Sequence, residues 1–66
     1  MKFWILYANT MITRHLVFQT DIDADDIKVA RERFGQTYNA DIIAIQRGRK
    51  FGPRAINKYK VELSKA

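Results

Sequence analysis

Cysteine is missing from this chain, and histidine and tryptophan occur once each. Without cysteine there is no disulfide framework and no thiolate metal site. His15 alone cannot supply a two-histidine centre within one chain. No neighbour in sequence offers it the nucleophile or carboxylate that a general base works with. Long apolar runs are also missing. The stretch from Phe3 to Ala8 is far too short for a signal h-region or a membrane span. These absences predict a cytoplasmic domain that is not an enzyme and uses no metal or cofactor. At 66 residues the chain reads as one domain, 1–66. A domain of this size buries only about 60% of the surface its unfolded form exposes. Sheet and helix must therefore supply nearly all of its stability.

What is present is organised around Asp21 to Gly35, DIDADDIKVARERFG, which has the pattern of an amphipathic helix. Asp23 is the expected N-cap, with Asp25 and Asp26 in the first turn beside the positive end of the helix dipole. Ile27, Ala30 and Phe34 recur at i, i+3 and i+7 and line one face. Gly35 suits a C-terminal stop, with Arg31 and Arg33 in the last turn. Tyr38 continues the stripe, so the helix has grounds to run on to about Asn39. Val29 points off the stripe.

The rest alternates like strands. Residues 2–8 are apolar almost throughout, as expected of a strand covered on both faces. Residues 12–20 follow a tight connection at Asn9-Thr10 and complete a hairpin. Asp41 to Arg47, DIIAIQR, is short and rich in β-branched residues, a third strand. Gly48, Gly52 and Pro53 mark 48–55 as a loop. Residues 56–63, INKYKVEL, place Asn57, Tyr59, Val61 and Leu63 opposite Lys58, Lys60 and Glu62, the alternation of an edge strand. The expectation is a ββαββ fold of the α+β class. One helix would lie on a four-stranded, mostly antiparallel sheet of order 2-1-3-4, the most apolar strand slotted between its neighbours.

Asp21, Asp23, Asp25 and Glu32 occupy positions 1, 3, 5 and 12 of a calcium loop. That loop requires glycine at its sixth position, where this chain has Asp26. Helix capping accounts for the acids better.

Charge is unevenly distributed. Residues 1–46 hold five bases and six acids, a net of −1, whereas residues 47–66 hold seven bases and one acid, a net of +6. Arg47, Arg49, Lys50 and Arg54 crowd around the glycine-containing loop with Phe51 among them, and Lys58 and Lys60 extend the charge. Arginine forks and loop N–H groups suit phosphate oxygens. An exposed Phe51 or Tyr59 would stack on an unpaired base. Trp4, Val29 and Phe51 are hard to place in one core, and Trp4 is a candidate protein-binding anchor on the sheet face away from the helix. An edge strand, either the second or the fourth, offers a route to a homodimer with a continuous sheet.

The hairpin, the helix ending RERFG and the strand DIIAIQR give residues 3–47 a ββαβ plan. It is similar to that of some small archaeal ribosomal proteins and of many short phage-encoded accessory proteins. The first resemblance implies RNA binding. The second implies a stoichiometric inhibitor or modulator of a host protein. The residues thus point to a small basic binding module that contacts nucleic acid or a nucleoprotein. The alternative is a regulator whose basic patch matches an acidic surface on a host protein, such as a nucleic-acid enzyme.

Overall fold

The computed structural model describes residues 1–8 and 17–64. The expected turn at Asn9-Thr10, most of the expected second strand and His15 lie outside those residues. The described elements are β1 (Lys2–Ala8), β2 (Phe18–Asp23), α1 (Ile27–Thr37), β3 (Asp41–Arg47) and α2 (Pro53–Ser64). The fold is α+β, a three-stranded sheet of order β2-β1-β3 with two helices.

β1 runs antiparallel to both of its neighbours, so β2 and β3 are parallel to each other and α1 forms the crossover between them. Ile5 sits between Thr20 and Ile45, and Leu6 between Gln19 and Ala44. Side chains alternate along a strand. Phe3, Ile5 and Tyr7 therefore face α1, where Phe3 packs with Ala24, Ala30, Val29 and Ile45. Trp4, Leu6 and Ala8 face the other way. Ile5, Leu6 and Ala8 are all fully buried, so both sides of β1 are covered. That explains why its sequence is apolar throughout rather than alternating.

α1 starts later than its acidic prefix suggests. Asp21 to Asp23 belong to β2, and Asp26 is the N-cap, its Oδ1 accepting from the Val29 N–H at 2.9 Å. A strand can take Asp21 and Asp23 because both are exposed and Asp21 pairs with Lys2 at 3.4 Å. Arg33 does not sit in the last turn. Its guanidinium reaches back to the Asp23 carbonyl and ties the helix to the end of β2. Gly35 is inside the helix, which ends when Tyr38 turns extended while its N–H donates to Phe34 O at 2.8 Å. Moving the helix start also rotates the buried face. Ile27 is 47% exposed, and Val29 joins Ala30 and Phe34 against the sheet.

The expected fourth strand is a helix. Residues 56–63 satisfy a two-residue period, but Ile56, Tyr59 and Leu63 also satisfy i, i+3, i+7, and the helical pattern wins. Pro53 occupies the first helical position, where its missing N–H costs nothing and its fixed φ is already helical. The Ile56 N–H closes the first turn on Gly52 O at 3.1 Å. Ala55, Ile56, Tyr59, Lys60 and Leu63 are half-buried, while Arg54, Asn57, Lys58, Val61 and Glu62 are exposed.

Phe34 is the largest fully buried side chain, stacked on Tyr38 with ring centroids 4.8 Å apart and tilted against Tyr7 at 5.2 Å. Phe34→Ala is expected to cost about 3–5 kcal/mol in chemical denaturation. Ile27→Ala, on the exposed side of the same helix, is expected to stay within about 0.5 kcal/mol.

Candidate functional site

The basic segment is built by the way the chain leaves β3. Gly48 has φ +85°, a conformation that side chains rarely adopt, and its N–H donates to Lys2 O at 2.9 Å. Two glutamines then hold the chain against the sheet. Gln46 Nε2 donates to Arg49 O. Gln19 binds Phe51 twice, accepting from its N–H at 2.9 Å and donating to its carbonyl at 3.3 Å. Gln46 pairs with Trp4 and Gln19 with Leu6, so both side chains lie on the face away from α1. Residues 48–52 therefore pass from the β3 side, under β1, to β2 on that face. Phe51 is anchored there at 7% exposure.

This placement divides the expected site residues. Arg47, Arg49, Lys50, Arg54 and Lys58 are exposed. Arg54 and Lys58 stand one turn apart on the outer side of α2, around a shallow depression of about 500 Å³ that Asn57, Val61 and Glu62 complete. Arg49, Lys50, Arg54 and Lys58 form no ion pair with a described residue, and Arg47 touches Met1 Sδ at 3.6 Å. Lys60 is separated from this group. On a helix, positions 58 and 60 diverge by about 200°, and Lys60 falls with the half-buried side. Phe51 is not exposed as its expected stacking role required: its ring is buried, and Gln19 holds its backbone through both hydrogen bonds. Trp4 does lie on the face away from α1, half-buried, with Lys2 Nζ 6.0 Å from its ring centre.

A second concavity, of about 350 Å³, opens at the other end of the sheet between Tyr7, Phe18, Thr37, Tyr38, Asn39 and Ala40. Tyr7 and Phe18 stack across the β1–β2 pair at 5.7 Å, and the Tyr38 and Thr20 hydroxyls are hydrogen-bonded at 3.2 Å. Burial and the nearby Tyr38 hydroxyl raise the Tyr7 pKa above its ordinary value. Sequence placed Tyr38 on the Phe34 stripe, but the meeting of Tyr7 with Phe18 depends on strand register. Among the described residues, no three of His, Asp and Glu gather as a metal-holding group, and no helix is long and apolar enough to cross a membrane.

The chain matches no protein family, no curated protein and no solved structure. What the site can do therefore rests on its own geometry. Exposed guanidinium and ammonium groups on a held loop and on the first turns of a helix present donors to anionic oxygens.

Gln19→Ala leaves the Phe51 N–H and C=O without their partner and is expected to cost about 1–3 kcal/mol, read from denaturant midpoints. Tyr7 sets an alkaline limit on stability. Its folded-state pKa is raised, so the native state holds the proton more tightly than the unfolded chain. The contribution is complete below the ordinary value of 10.0 and is lost as pH rises through the raised one. Tyr7→Phe is expected to reduce the fall in stability above that pH, followed by thermal melts across the alkaline range.

Proposed function

We propose that the protein is a non-enzymatic binding module that engages the phosphate backbone of nucleic acid through Arg47, Arg49, Lys50, Arg54 and Lys58. The observation that carries this reading is the run from Arg47 to Val61. It contains no acidic residue, and five of its cations are exposed along one held loop and one side of a helix. Cations in such an array release counterions from a polyanion, and this drives sequence-independent binding. Because Phe51 is buried, the reading is backbone-directed and does not include base stacking by that ring. Gly48 and the two glutamines add rigidity, so less ordering of the loop accompanies binding.

A second reading is favoured by Val61, which is 52% exposed beside Arg54 and Lys58. An exposed apolar side chain with a charged rim has the arrangement of a small interface patch, apolar at its centre and polar around it. On this reading the protein is a small regulator, of the phage accessory kind, that covers an acidic surface on a host protein such as a nucleic-acid enzyme.

Titration of labelled single-stranded and duplex RNA and DNA across a salt series tests the proposal. Affinity is expected to fall log-linearly with salt, and Arg49→Ala or Lys58→Ala to reduce the slope by about one unit each. Lys28→Ala, on α1, is expected to leave the slope unchanged. Equal effects from all three variants would reduce the patch to general charge. Val61→Ser separates the two readings: it is expected to leave nucleic-acid binding intact, whereas an interface anchored on Val61 would lose its protein partner.

A further inference from the structure

Building on the nucleic-acid reading, we propose that α2 lies in the major groove of duplex DNA. Asn57 and Val61 meet the edges of A·T base pairs there, while Arg54 and Lys58 grip the adjoining phosphates. Two residues of this helix have no use on a phosphate backbone. Asn57 and Val61 are exposed on the same side of α2 as Arg54 and Lys58 and line the same depression. Neither carries charge, and Val61 is 52% exposed. Among the described residues, no hydrogen bond engages the Asn57 amide.

Helix geometry sorts the four side chains into two sectors. At about 100° per residue, Arg54 and Lys58 stand about 40° apart, as do Asn57 and Val61. Val61 lies about 20° from Arg54, so a neutral sector adjoins a cationic one. The half-buried Ala55, Ile56, Tyr59 and Leu63 are on the opposite side. A helix is about 10–12 Å across and the major groove of B-form DNA about 12 Å wide. Positions i, i+3, i+4 and i+7 are the set that a groove-bound helix brings to DNA. Here they are Arg54, Asn57, Lys58 and Val61. Arg47, Arg49 and Lys50, exposed just before the helix, add phosphate contacts at its entry.

The chemistry of the neutral sector selects the bases. A carboxamide presents a donor and an acceptor together, which match the N7 acceptor and N6 donor of adenine. The Val61 methyl groups, one turn on, suit the C5-methyl of thymine. Glu62 stands about 40° beyond Lys58 and repels phosphate, so it bounds the cationic sector. RNA duplexes do not offer this fit, because their major groove is too deep and narrow for side chains to read.

Enrichment of a randomised duplex DNA library at near-physiological salt tests the proposal. A·T pairs are expected to be selected within one short stretch. In the enriched duplex, 7-deazaadenine removes the N7 acceptor without disturbing base pairing. It is expected to weaken binding about tenfold. Asn57→Ala is expected to lose the preference, to ignore 7-deazaadenine and to keep the wild-type salt slope, since Asn57 touches no phosphate. Arg49→Ala is expected to do the reverse, with a lower slope and an unchanged preference. Deoxyuridine in place of thymine removes the methyl group beside Val61 and is expected to weaken the wild type more than Val61→Ala. The enriched sequence is expected to bind more weakly as duplex RNA than as DNA. Equal affinity for all duplexes, DNA and RNA alike, overturns the proposal and leaves the phosphate reading standing. So does a base preference that Asn57→Ala retains in full. Absence of any nucleic-acid binding overturns both.

Discussion

With six consecutive apolar residues, β1 has no face that can be left to water, and its central place follows from that. Only a middle strand has neighbours on both edges and cover on both faces. Placing β1 there makes β2 and β3 the edges and forces their connection to cross the sheet, which is what α1 does. It also creates a second face, behind Leu6 and Ala8, that needs its own cover. The segment carrying Phe51 meets that need. The basic loop is thus held where it is by the same burial requirement that fixes the strand order.

Patterns set by burial were readable from the chain. The limits of β1 and β3, the central position of β1, the presence of α1 and the off-helix face of Trp4 all follow from runs of apolar residues. The misreadings have specific physical causes. Four aspartates before α1 offered several capping positions, and the cap fell to Asp26 because strand pairing with β1 had already claimed residues through Asp23. Ile27 and Val29 exchanged roles for the same reason. In residues 56–63 two periods coexist in the same letters, and Pro53, taken as a breaker, is well suited to begin a helix.

The candidate site shows the same division. Which side chains carry charge is explicit in the chain, but which of them stand together depends on helix against strand. As a strand, residues 56–63 would align Lys58 with Lys60. As a helix they align Lys58 with Arg54 and turn Lys60 aside. Phe51 was visible as an apolar residue within a basic loop. Its burial depends on Gln19, 32 positions away, a separation that no local pattern reports.

Gly35 lies within α1 on its exposed side, and a methyl group built there would meet nothing within 4 Å. Nothing in the folded state requires glycine at that position. Its effect falls on the unfolded chain, which gains conformational freedom that folding must remove. α1 therefore persists through the packing of Phe34, Ala30 and Val29 despite a residue of poor helix propensity, and the chain stands below the stability its own backbone would allow. A single alanine there would draw on that margin, about 0.4–1 kcal/mol, without altering a contact in the core or a charge on the basic surface.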